Sequence, residues 1–123
     1  MSIQRLVTAL DAVTATTTSE AISVKEAKKV TLAFTRADHS SGSSTFSVTG
    51  TVDGTTYVTL NKLITNVTNT NAQTPVRAAS VALSSDTTEI ATLDMEGLAL
   101  LAIKVKVVEV TDGTHTALVS IEN

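Results

Sequence analysis

Asp38-His39-Ser40 brings together the three residue types of a nucleophilic triad, so chemistry is sought there first. In a working triad the histidine stands between nucleophile and carboxylate in one hydrogen-bonded relay, and folding assembles it from separate segments. Three consecutive residues cannot lay out that relay among themselves. The chain also has no Gly-x-Ser-x-Gly elbow. A polar loop accounts for the tripeptide.

The remaining candidates thin out in the same way. His39 and His115 lie far apart, and neither stands at a spacing that metal sites use. Asp94 and Glu96 would share one face of an extended segment and so offer a calcium or acid/base pair, but a solvated strand end explains them too. Asp53 and Asp112 each precede a glycine, which is turn chemistry. Lys104 and Lys106 form a small basic stripe: a soluble outer sheet face by default, an anionic contact surface if functional. No glycine-rich loop is available to cradle a phosphate. The expectation is a protein that is not an enzyme, with no catalytic, cofactor-binding or metal-binding residues and no cofactor.

Composition sets the frame in which such residues would have to be held. A chain of 123 residues has room for one domain. With no cysteine, disulfide scaffolds and zinc-thiolate sites are excluded, so the core must hold without staples. A net charge of -3 argues against a general nucleic-acid binder, which needs cations to neutralise phosphates. The longest apolar run, Leu98 to Ile103, is far too short to span a membrane. Neither nucleic acid nor membrane is therefore expected as a partner. The N-terminus has no apolar stretch of the kind that a secretion signal needs. Asn66-Val67-Thr68 matches the N-glycosylation triplet, which chance supplies readily in a chain with 23 Thr. Val and Thr dominate over aromatics, of which there are only Phe34, Phe46 and Tyr57. β-Branched residues suit a pleated, half-buried surface.

Period-two alternation then places the elements. Arg5 to Leu10 reads as an opening strand, with a loose Thr-rich stretch from Val13 to Ser19. Lys29 to Arg36 puts Val30, Leu32 and Phe34 on one face. Thr45 to Val52 does the same for Phe46, Val48 and Val52, and Asp53-Gly54 turns the chain tightly into Tyr57 to Leu60. Arg77 to Leu83 and Glu89 to Leu93 read as two more strands. Leu101 to Val110 aligns Leu101, Ile103, Val105 and Val107, and a turn at Thr111 to Thr114 leads into Thr116 to Ile121, with Ala117, Val119 and Ile121 in phase. Ser23 to Glu26 fits a capping box, so a turn or two of helix competes before Lys29. A further short turn fits Asp94 to Gly97. The fold expected is all-β: a single antiparallel β-sandwich, jelly-roll-like, of about eight strands. Residues 1–19 form an N-terminal strand or arm, free to complete its own sheet or to exchange between subunits, and residues 20–123 form the sandwich domain.

Val30 to Val48, Val52 to Val58, Asn61 to Ile64, Asn66 to Asn71 and Ile103 to Ala117 together resemble small β-rich virion structural proteins of tailed bacteriophages and prophages. The resemblance implies a capsid decoration, or auxiliary head, protein made in the host cytoplasm. Its place would be the capsid exterior, its partner the major capsid protein, and its state a homo-oligomer, with a trimer favoured. A second likeness points elsewhere: Thr49 to Leu60 is similar to the hairpin of discoidin-like and other carbohydrate-binding sandwiches. Those often carry Trp at the position of Tyr57. This second likeness implies a carbohydrate- or receptor-binding module of a phage tail or baseplate.

Overall fold

The computed structural model describes residues 4–65, 76–109 and 112–123. The glycosylation triplet with the rest of 66–75, and the Val110–Thr111 step expected to lead into the last turn, lie outside the described residues. Every strand pairing is antiparallel, and two sheets face each other as a sandwich.

Among the described residues there are twelve strands rather than about eight. The six long ones are β1 (Gln4–Val13), β4 (Lys29–Ala37), β5 (Ser44–Thr51), β10 (Thr87–Leu93), β11 (Ala102–Glu109) and β12 (Thr114–Glu122). Between them lie β2 (Thr17–Thr18), β3 (Ile22–Ser23), β6 (Val58–Thr59), β7 (Leu63–Ile64), β8 (Arg77–Ala78) and β9 (Val81–Leu83). These short pieces account for the higher count, since two or three residues carry no readable period. The first sheet runs β1-β12-β4-β10-β7-β8. The second runs β2-β11-β5-β6, with β3 also on β11 and β9 also on β5.

The core is the inner face of the long strands. Val30, Leu32 and Phe34 of β4 meet Phe46 and Val48 of β5, Ile103, Val105 and Val107 of β11, and Ala117, Val119 and Ile121 of β12. Phe34 and Phe46 stack across the interface with ring centroids 4.7 Å apart. Aliphatic side chains fill most of the rest, as a chain almost without aromatics requires.

Four expectations are corrected. Val52 is 71% exposed and Leu101 41% exposed, although both keep the phase of the core. The β5–β11 ladder ends at Thr51↔Ala102, so the alternation runs on past the point where there is a sheet to face. The Asp53-Gly54 step is not a two-residue hairpin. Gly50 pairs with Val58, and the broad loop between them winds around the Asp53 carboxylate, which accepts from the Thr55 and Thr56 amides at 2.8 Å each. Arg77 to Leu83 is two strands, because the chain crosses there from the first sheet to the second.

No helix forms at the capping box either. Ser23 is paired with Ala102 of β11, the Val24 amide donates to Leu101 O and the Lys28 amide to Glu122 O. With those donors committed to neighbouring strands, only a turn remains, closed by Ala27 N–H to Val24 O with Glu26 at φ 64°.

Candidate functional site

The loop after β4 and the loop before β12 meet at one end of the sandwich. Asp112, from the second loop, accepts hydrogen bonds from both the amide and the hydroxyl of Ser40. Its carboxylate also lies 3.6 Å from Nε2 of His39, whose side chain is nearly buried. Serine, histidine and aspartate are thus brought together, but with Asp112 in the place of Asp38, which is exposed with φ at 53°.

The order of contacts decides what this cluster can do. The Ser40 hydroxyl donates directly to the carboxylate rather than to the imidazole, so the histidine relays nothing. The Ser40 hydroxyl and then the Ser40 amide hold Asp112 below the usual carboxylate range, which makes it a poor base. Ser40 is therefore not activated. What the cluster does is fasten one loop to the other. Gly113 belongs to the same clasp: at φ 105°, a β-carbon there would lie 2.9 Å from Ala37 O.

A second polar group lies underneath. Arg36 is only 1% exposed and points inward with Val30, Leu32 and Phe34. Its guanidinium donates to Leu83 O of β9, and to Ser41 O at 3.1 Å and Gly42 O at 3.0 Å in the loop. A buried cation is costly unless acceptors surround it. Three main-chain carbonyls take up its two terminal nitrogens, while the buried Nε has no hydrogen-bond partner; through those three bonds it pins the β4–β5 loop and ties the first sheet to β9.

Across the ladder from Arg36 stands His115, fully buried. Its Nδ1 lies 3.2 Å from Val13 O, and a carbonyl can only accept, so Nδ1 carries the proton. Nε2 then accepts from the hydroxyl of Ser44 at 2.6 Å. This Ser–His contact has the polarity of a nucleophile and its base, yet Ser44 is as buried as its partner and no substrate can reach it. Arg36 and Ser44 escaped the sequence reading as polar core residues, and His115 entered it only as a metal candidate. Their signal was phase alone, since each continues the inward parity of its own strand.

The other sequence candidates are not gathered into a site. Asp94 lies beyond the end of β10. It accepts from Arg77 Nε at 2.8 Å and from the Glu96 amide at 3.0 Å, so it shares no strand face with Glu96. An open groove of about 630 Å³ passes Lys29, Ile64, Leu93, Met95 and Glu96, with Asp94 at its wall already paired. Among the described residues no three His, Asp or Glu side chains are placed to hold a metal ion. Lys104 and Lys106 lie on the face of β11 away from the core, with Lys104 Nζ 4.3 Å from the centroid of the Tyr57 ring. Ser47 and Thr49 pair with them from β5. No helix of the described residues is long and apolar enough to cross a membrane.

The same sandwich exists in two proteins of known structure, one of them prophage-derived. The SPBc2 prophage-derived protein YomS superposes with a TM-score of 0.74 over 100% of this chain and 96% of its own, at 18% identity. The PBSX exported protein XepA gives 0.76 over 99% of this chain at 10% identity, and the chain spans 38% of its length. At such identities the likeness shows the fold. No protein-family model and no curated protein sequence matches the chain.

Proposed function

We propose that this chain is a phage structural protein that attaches to the outside of the virion and reinforces the head without chemistry. The observation that carries this reading is the match to YomS, a prophage-derived protein, over nearly the whole of both chains. The clasped loop end supports it, because recognition loops work best on a rigid scaffold. Arg36 and Asp112 hold the Asp38 to Gly42 loop from below and from the side. A specific contact needs about 800 Å² per partner, and several copies acting together turn modest single-site affinity into durable attachment.

Reconstruction of purified particles of the encoding phage tests the proposal. Density for this sandwich on the shell, together with loss of heat or osmotic resistance in particles lacking it, is the expected outcome. Its absence from virions would overturn the assignment. Its presence on particles that survive equally well without it would leave the location and remove the reinforcing role.

A second reading has its own observation: Tyr57 lies beneath the Lys104 ammonium on a hydroxyl-rich outer face. An aromatic ring beside a cation and hydroxyls suits a carbohydrate- or receptor-binding module of a tail or baseplate. Glycan-array binding that is lost in Tyr57→Ala, with the protein found in tails, would favour this reading over the first.

A further inference from the structure

The outer face of the second sheet carries one sign of charge. Lys104 and Lys106 of β11 point away from the core. The ladders set Lys106 between Thr18 of β2 and Ser47 of β5, and Lys104 beside Thr49, which in turn pairs with Thr59 of β6. No Asp or Glu falls at an outward register position of this face, although the chain has 12 acidic residues against 9 basic ones. Glu20, in the step between β2 and β3, is exposed, and among the described residues no ion pair takes up either lysine. Asp53, in the adjoining loop, is turned onto that loop's own amides. A face left to solvent alone would mix both signs.

Lys104 is also held in place. Its ammonium sits 4.3 Å from the centroid of the half-buried Tyr57 ring, a contact that fixes the position of the charge without neutralising it. Lys106 stands two residues further along the same strand, so the two cations rise from points about 7 Å apart. Around them the Thr and Ser rows offer hydroxyls that both donate and accept. Among the described residues, Val108 is the only large apolar side chain at the outward register positions.

We propose that this face binds a polysaccharide built from uronate sugars, its carboxylates on Lys104 and Lys106 and its hydroxyls on the flanking Thr and Ser rows. The proposal rests on the carbohydrate-binding reading above and narrows it to an anionic chain. A neutral sugar laid here would desolvate two ammonium groups and return no counter-charge. Phosphate and sulfate sites draw on Arg forks and free backbone amides, whereas this face has lysines alone and the amides of β5 and β11 are spent in the ladders. Protein interfaces gather apolar and aromatic side chains at their centre and are poor in Lys, Ser and Ala, the opposite of what is displayed here. Two cations on a chain of net charge -3 are too few for nucleic acid or an anionic bilayer.

Sensor surfaces coated with polygalacturonate, dextran and poly-glutamate test this on the intact chain. Saturable binding to polygalacturonate, weakened by salt and much stronger than to the other two, is the expected result. Lys104→Gln and Lys106→Gln should each weaken it about two- to fivefold, the worth of one exposed ion pair, and together about tenfold, with unchanged melting curves. Tyr57 is a positioning residue. Tyr57→Phe, which keeps a ring under the ammonium, should therefore bind like the unmodified chain, while Tyr57→Ala should lose as much as Lys104→Gln. Equal binding to poly-glutamate would reduce the face to bare charge and overturn the proposal. Dextran or neutral array glycans bound as well as polygalacturonate would also overturn it, yet leave the carbohydrate-binding reading standing. No binding to any glycan would end both. Binding untouched by the two lysine substitutions would put the glycan elsewhere and refute this face.

Discussion

Ser44 and His115 join the two sheets of the sandwich through a 2.6 Å hydrogen bond between β5 and β12. Because Nδ1 is committed to Val13 O, Ser44 is the donor that satisfies the buried Nε2. Ser44→Ala should therefore lower stability by about 1–3 kcal/mol, the usual cost of an orphaned buried polar atom. In a double-mutant cycle with His115→Leu, urea unfolding should return a coupling of about 1–2 kcal/mol. A coupling near zero would mean that the bond contributes nothing.

Phe34 and Phe46 form the aromatic centre of an otherwise aliphatic core. Replacing either with Ala should cost about 3–5 kcal/mol, since no other large side chain is at hand to fill the space. Against a total of about 5–15 kcal/mol, that is a large share. Wild-type-like denaturation midpoints for both variants would contradict the packing described.

Two glycines with positive φ should respond differently to alanine. Gly54, at φ 83°, has open space where a β-carbon would go, so Gly54→Ala should cost about 1 kcal/mol of backbone strain alone. Gly113→Ala adds a collision with Ala37 O and should cost clearly more, with the Ser40–Asp112 clasp loosened beside it. Equal melting temperatures for the two variants would refute the difference.

Asp53 should titrate low. Amide donors from Thr56 and Thr55, then the Thr51 hydroxyl, bring its carboxyl from 3.8 down to about 2. A pKa depressed on folding gives stability that is full above the unfolded value and is lost as pH falls through the folded one. The contribution of Asp53 should therefore fade between about pH 4 and pH 2, and Asp53→Asn should remove that part of the acid sensitivity. A carboxyl NMR titration with a midpoint at the ordinary aspartate value would show that the loop is not wound around this side chain.

Alternation made most of the core legible, because in a strand the phase of a residue maps directly onto burial. Val30, Leu32, Phe34, Ile103, Val105, Val107, Val119 and Ile121 are all buried as expected. The same phase overshoots at Val52 and Leu101, since a repeat says which way a side chain points and not where the ladder ends. It also reached Arg36, Ser44 and His115, where residue type argued for a loop or a surface and tertiary acceptors decided otherwise. The clasp of Ser40 by Asp112 was not legible at all: 72 residues separate the two, and only the antiparallel pairing of β4 with β12 brings them together.

The order of the strands also governs how the molecule comes into being. β4 and β5 are consecutive in the chain but belong to opposite sheets. The long ladders instead join Gln4 to Glu122, Lys29 to Glu122 and Thr51 to Ala102. Almost nothing can be secured by a local hairpin, so the closure of very large loops must precede any gain from the core. Such topologies fold over milliseconds to seconds rather than microseconds. During synthesis β1 and β4 emerge early and wait, with their inner faces uncovered, until β12 has left the ribosome to stand between them. The first sheet is therefore finished last: a chain interrupted before β12 lacks the strand that joins β1 to β4, and one edge of β4 stays open.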